Sequence, residues 1–167
     1  MKFKLVVSFL FLFSIVGCSQ TSDKLVIERP LKIAVVGTEP SYNFENIKWV
    51  NINIDELFEN KGNYNALFVM EETFFETSKP KYASLYKELP YPTFFIGLNE
   101  PYELFIDENL TISDYKESES VAFAQGYFNS VQGTKTWKFV PHNQLKSESD
   151  YRLIYQEIFN TIIEFSS

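Results

Sequence analysis

The chain has 167 residues, with 15 Lys and Arg against 22 Asp and Glu, one His and one Cys. This length suits one ordinary domain, and 45% hydrophobic with 22% charged residues excludes disordered, collagen-like and coiled-coil readings. A net charge of −7 argues against a nucleic acid as partner, and a lone Cys excludes an intrachain disulfide framework or a Cys-rich metal site.

In chain order, Lys2 and Lys4 form a short positive segment, and residues 5–16 run almost unbroken as apolar side chains, interrupted by Ser8 and Ser14. A run of about 12 residues suits the core of a secretory signal and falls short of the roughly 20 that span a bilayer as a helix. The run ends in Ile15-Val16-Gly17-Cys18. This ending resembles the lipobox of bacterial lipoprotein precursors. The resemblance covers residues 1–18 only. It implies that diacylglycerol joins the Cys18 thiol, that a signal peptidase cuts before Cys18, and that fatty chains such as palmitate hold the mature protein at the extracytoplasmic face of the cell membrane. Two or three acyl chains, at ~0.8 kcal/mol per buried methylene, anchor a soluble domain where one does so weakly. The expected organisation is a cleaved signal over residues 1–17, a lipidated Cys18 with a polar tether to residue 24, and one globular domain over 25–167. Removing Lys2 and Lys4 with the signal takes the net charge from −7 to −9, so anionic lipid should repel the domain and leave it standing off on its tether.

Residues 31–37 (LKIAVVG) are a β-branched apolar run closed by Gly, which predicts a buried strand. Residues 47–54 (IKWVNINI) predict a second strand, and Asp55 a cap for a short helical turn over 56–60. Residues 64–70 predict a third strand. Ser78 before Lys79-Pro80 predicts an N-cap for a helix carrying Tyr82, Leu85, Tyr86 and Leu89 on one face. Residues 93–98 (TFFIGL) predict a fourth strand, and 104–106 a shorter one joined to it as a hairpin or a bend. Residues 117–128 predict a helix, with its acids at the start as the helix dipole favours. Residues 136–140 predict an edge strand before Pro141. Residues 147–150 open a last helix whose apolar face is Leu153, Ile154, Ile158, Ile162 and Phe165. Buried strands alternating with helices predict an α/β domain of three layers around a mainly parallel, flavodoxin-like sheet. An α+β fold with a mixed sheet is the alternative.

In an open parallel sheet, ligands bind beyond the carboxyl ends of the strands. The candidate ligand-binding residues are therefore the polar pairs that follow the apolar runs: Thr38 and Glu39, Glu71 and Glu72, Asn99 and Glu100. Carboxylates gathered there could bind a cation or raise one carboxyl pKa for acid–base work. They could equally be the polar residues that any buried strand meets on reaching solvent.

Gly37 stands alone after its strand, without the spacing of a phosphate-binding loop, so no nucleotide cofactor is expected. His142, the only histidine, follows Pro141 in a polar loop and reads as solvated. No Ser sits in a GxSxG elbow, and the three or four N or S ligands of a zinc site are missing. Aromatic residues reach 17%. Tyr42, Phe44, Phe74, Phe75, Tyr91 and Tyr102 fall in predicted loops, where they either cover the core or form a binding patch. The reading that follows is a non-catalytic binding domain for an envelope protein or other envelope component. The alternatives are a small-molecule or metal-binding lipoprotein associated with transport, and an enzyme that uses carboxylates alone.

Overall fold

The computed structural model describes residues 27, 29–111, 122–142 and 144–166. The lipobox, the tether and residues 117–121 of the segment predicted as a helix over 117–128 lie outside them. Among the described residues the strands are β1 (Leu31–Val36), β2 (Ile47–Asn51), β3 (Ala66–Met70), β4 (Thr93–Ile96), β5 (Ala124–Ser130) and β6 (Gly133–Phe139). They form one sheet in the order β2-β1-β3-β4-β5-β6. The first four neighbours pair in parallel, and β5 and β6 continue the sheet antiparallel. The fold is thus α/β with a mixed sheet, parallel over its first part.

β1, β3 and β4 are central and buried on both faces, as continuous apolar runs require. Alternate residues of β1 and β3 serve two cores. Ala34, Val36, Leu67 and Val69 face one side with Phe95 of β4. Ile33, Val35, Ala66 and Phe68 face the other with Phe94. The first side is covered by four short helices: α1 (Glu56–Glu59), α2 (Phe74–Thr77), α3 (Ala83–Glu88) and α4 (Glu103–Ile106). The second is covered by α5 (Glu148–Phe165). Lys48 on β2 and Lys135 and Lys138 on β6 place charge on the two edge strands, which discourages edge pairing.

Several local expectations change. Residues 104–106 are helix α4, not a strand. Its one turn buries Leu104 and Phe105 together, and Phe105 stacks on Phe95 at 4.1 Å between ring centroids. Residues 124–128 are strand, not helix, because the segment pairs with both β4 and β6. Asp55 precedes α1 without capping it. Its carboxylate instead accepts from the Lys81 Nζ at 3.1 Å and the Tyr82 hydroxyl at 2.9 Å, and these hold its pKa low, the Tyr82 bond most of all. Ser78 is not an N-cap: it closes α2, and Pro80 opens a 3-10 turn that runs into α3. Tyr82, Leu85, Tyr86 and Leu89 are nevertheless buried together as their spacing predicts. Ile52 and Ile54 lie beyond the end of β2.

Ser147 does cap α5. Its hydroxyl accepts from the Asp150 amide, and the Asp150 carboxylate accepts from the Ser147 amide. Ile154, Ile158 and Ile162 are buried as predicted, but Leu153 is 55% exposed, off the stripe that Tyr155 and Phe159 complete.

Candidate functional site

β1, β3 and β4 lie side by side and end at the same edge of the sheet, which brings the three predicted polar pairs along that edge. The register pairs Val36 with Val69 and Met70 with Ile96. One step further on, a glycine ends each flanking strand. Gly37 has φ +112° and Gly97 has φ +88°, left-handed backbone that residues with a Cβ rarely adopt. Both also leave room for β3's acids. A Cβ at 37 would lie 2.7 Å from the Met70 Cβ and 2.8 Å from the Glu72 Oε1. A Cβ at 97 would lie 2.8 Å from the Glu71 Oε2 and 2.9 Å from the Glu71 Cβ.

The two adjacent acids have different surroundings. Glu72 accepts from the Thr38 backbone amide at 2.6 Å, tying the end of β1 to the end of β3. Partial burial pushes its pKa upward, but hydrogen bonds from the Thr38 amide, its own amide and the Thr38 side chain outweigh that, so the net direction is down. The Glu71 carbonyl accepts from the Phe74 amide, but its carboxylate accepts no hydrogen bond and forms no ion pair among the described residues. Glu39 turns toward β2, accepting from the Asn51 side-chain amide at 3.4 Å. Glu100 contributes main chain: its carbonyl and that of Leu98 accept from the buried Gln125 amide at 2.6 and 3.2 Å. Gln125 thereby pins the loop after β4 to β5. Among the described residues, no three His, Cys, Asp or Glu side chains converge as metal ligands do.

Because β5 is antiparallel to β4, it starts where β4 ends, and β6 returns to finish there too. The result is a cleft of about 530 Å³ at this edge. Gly97, Glu71 and Asn99 line one side, Ala122 and Phe123 the second, and Val140 to His142 with Gln144 and Leu145 the third. The Gly97 amide donates to the Phe123 carbonyl at 2.8 Å, fixing the first two sides to each other. The Phe123 ring is backed edge-on by Tyr155 at 5.2 Å and Tyr151 at 6.0 Å. Of the six predicted residues, the cleft takes Glu71 and Asn99, while Thr38, Glu39, Glu72 and Glu100 lie outside its lining. His142 is solvated as its loop predicts, with a side chain 90% exposed and its Nε2 3.9 Å from Glu157, and it stands on the rim of the cleft. Phe123, Val140, Gln144 and Leu145 escaped sequence reasoning, because they join the site only through the β5–β6 hairpin.

No known protein family, curated protein or solved structure matches this chain.

The loop aromatics divide in the same concrete way. Phe44, Phe74 and Tyr91 are buried, Tyr42 stacks on Tyr151 at 5.5 Å, and Tyr102 stacks on Tyr127 at 5.5 Å. These five cover the cores. Phe75 alone of the six is largely open, at 73% exposed. Phe74 and Phe75 therefore make no joint patch beside Glu71 and Glu72. Glu71 is the one carboxylate among the described residues of the cleft, and Glu72 is held low, the wrong direction for a general acid.

Proposed function

We propose that this chain is an extracytoplasmic lipoprotein, anchored through acylated Cys18, whose folded part is a non-catalytic binding domain. The observation that carries the anchoring is Ile15-Val16-Gly17-Cys18 placed directly after Lys2, Lys4 and an apolar run. The binding role draws on the cleft at the carboxyl edge, the place where open α/β sheets hold their ligands. The order β2-β1-β3-β4 also follows the start of the flavodoxin-like arrangement, with the antiparallel hairpin in place of further parallel strands. A volume of about 530 Å³ suits a small molecule, and this favours the transport-associated reading over a broad protein interface at this site.

Fractionation and intact-mass spectrometry test the anchor. Wild-type protein should sit in the membrane fraction with an acylated residue 18 at its amino terminus, and Cys18→Ala should lose the acyl mass and the membrane association together. A wild-type protein recovered soluble with an unmodified amino terminus defeats the anchoring. For the cleft, a photoreactive residue at Gln144 should capture a ligand or envelope component on intact cells. The same residue at Glu59, on α1 away from the cleft, should not, and equal capture from both positions removes the cleft as the binding site.

A further inference from the structure

The ligand's charge can be read from what the cleft contains and what it lacks. No Lys or Arg is among its described lining residues, and Glu71 is the one carboxylate among them. The neighbouring acids are already engaged, Glu72 by the Thr38 amide and Glu39 by Asn51. Glu71 has no such partner among the described residues, and two features keep its position. Its Cβ packs where a side chain on residue 97 would otherwise sit, and the Gly97 amide is tied to the Phe123 carbonyl. Phe123, Val140 and Leu145 line the same cleft, and Asn99 and Gln144 bring neutral hydrogen-bonding amides to it.

A carboxylate without a counter-charge among the described residues, in a cleft also lined by Phe123, Val140 and Leu145, complements a cation on an apolar body. The acidic surface reinforces this by drawing cations in and repelling anions. Resting on the small-ligand reading above, we propose that the cleft binds a small protonated primary amine bearing an apolar group, with Glu71 as its counter-charge. The ammonium lies against the Glu71 carboxylate and the Asn99 amide oxygen, and the apolar body lies between Phe123 and Leu145.

The test uses three probes of one shape and different charge: phenethylamine, phenethyl alcohol and phenylacetate. Each is titrated into the intact ¹⁵N-labelled protein at neutral pH while the Asn99, Phe123 and Gln144 resonances are followed. Phenethylamine should shift them saturably, with the alcohol at least tenfold weaker and phenylacetate weaker still. Glu71→Gln should weaken the amine at least tenfold, while Glu39→Gln, on the same edge outside the cleft, should leave it unchanged. The comparison of probes on wild-type protein needs no variant to fold. Equal binding of amine and alcohol, or full retention in Glu71→Gln, overturns the cation inference and leaves the cleft a binding site for something else. If none of the three probes moves these resonances, the small-ligand reading falls with it.

Discussion

Gly97→Ala probes the close packing at the end of β4, and its cost can be worked from geometry. At φ +88° the new side chain faces the left-handed penalty, about 1–2 kcal/mol for an L-residue. Its methyl also lands 2.8 Å from the Glu71 Oε2 and 2.9 Å from the Glu71 Cβ. The carboxylate can rotate away, but the Cβ cannot move without β3's end, so overpacking adds about 1–3 kcal/mol. A total near 3 kcal/mol follows, or roughly 10 °C in melting temperature for a domain of this size. Gly133 is the internal control. Its φ is +120°, yet an added Cβ meets nothing within 4 Å, so Gly133→Ala should show the backbone penalty alone. Urea denaturation of both variants, at unchanged m, reads the difference. If Gly97→Ala matches Gly133→Ala within about 0.5 kcal/mol, the close packing of Glu71 against residue 97 is wrong. The displaced carboxylate should also weaken phenethylamine binding in Gly97→Ala.

Two further outcomes rest on other parts of the fold. Ser147→Ala removes one half of the capping box on α5 and should cost about 1 kcal/mol in urea denaturation, with no change in m; a loss below about 0.3 kcal/mol would mean the cap is made by solvent instead. The depressed pKa of Glu72 gives a pH prediction. A carboxylate held below its unfolded value stabilises the fold at neutral pH, and that contribution disappears as pH falls through the folded pKa. The urea midpoint of the wild type should therefore drop between about pH 5 and pH 3, and Glu72→Gln should flatten part of that fall. Asp55, Asp107 and Asp150 are lowered too, so some slope remains. Parallel curves for wild type and Glu72→Gln would show that the Thr38 bond does not favour the ionised form.

Sequence alone was sufficient wherever one segment's own side chains decide its state. The short apolar runs at Leu31–Val36, Ala66–Met70 and Thr93–Ile96, rich in β-branched and aromatic residues, read as buried strands and are central ones. The shared carboxyl edge was legible only on the condition that these strands run parallel, which the pairing of β1, β3 and β4 supplies. The Ser147–Asp150 cap was equally legible, since both partners lie within one turn. Tertiary structure decided what depends on distant partners. Leu104-Phe105-Ile106 is apolar enough for strand or helix, and only the fit of Phe105 against Phe95 selects the helix. Residues 124–128 read as helical by composition, yet ladders with β4 and β6 outweigh that propensity. That same hairpin carries Phe123, Val140 and Leu145 to Glu71, so the cleft could not be seen in the sequence. Its walls come from strand pairings far apart in the chain, and no local pattern encodes which strand a segment will choose.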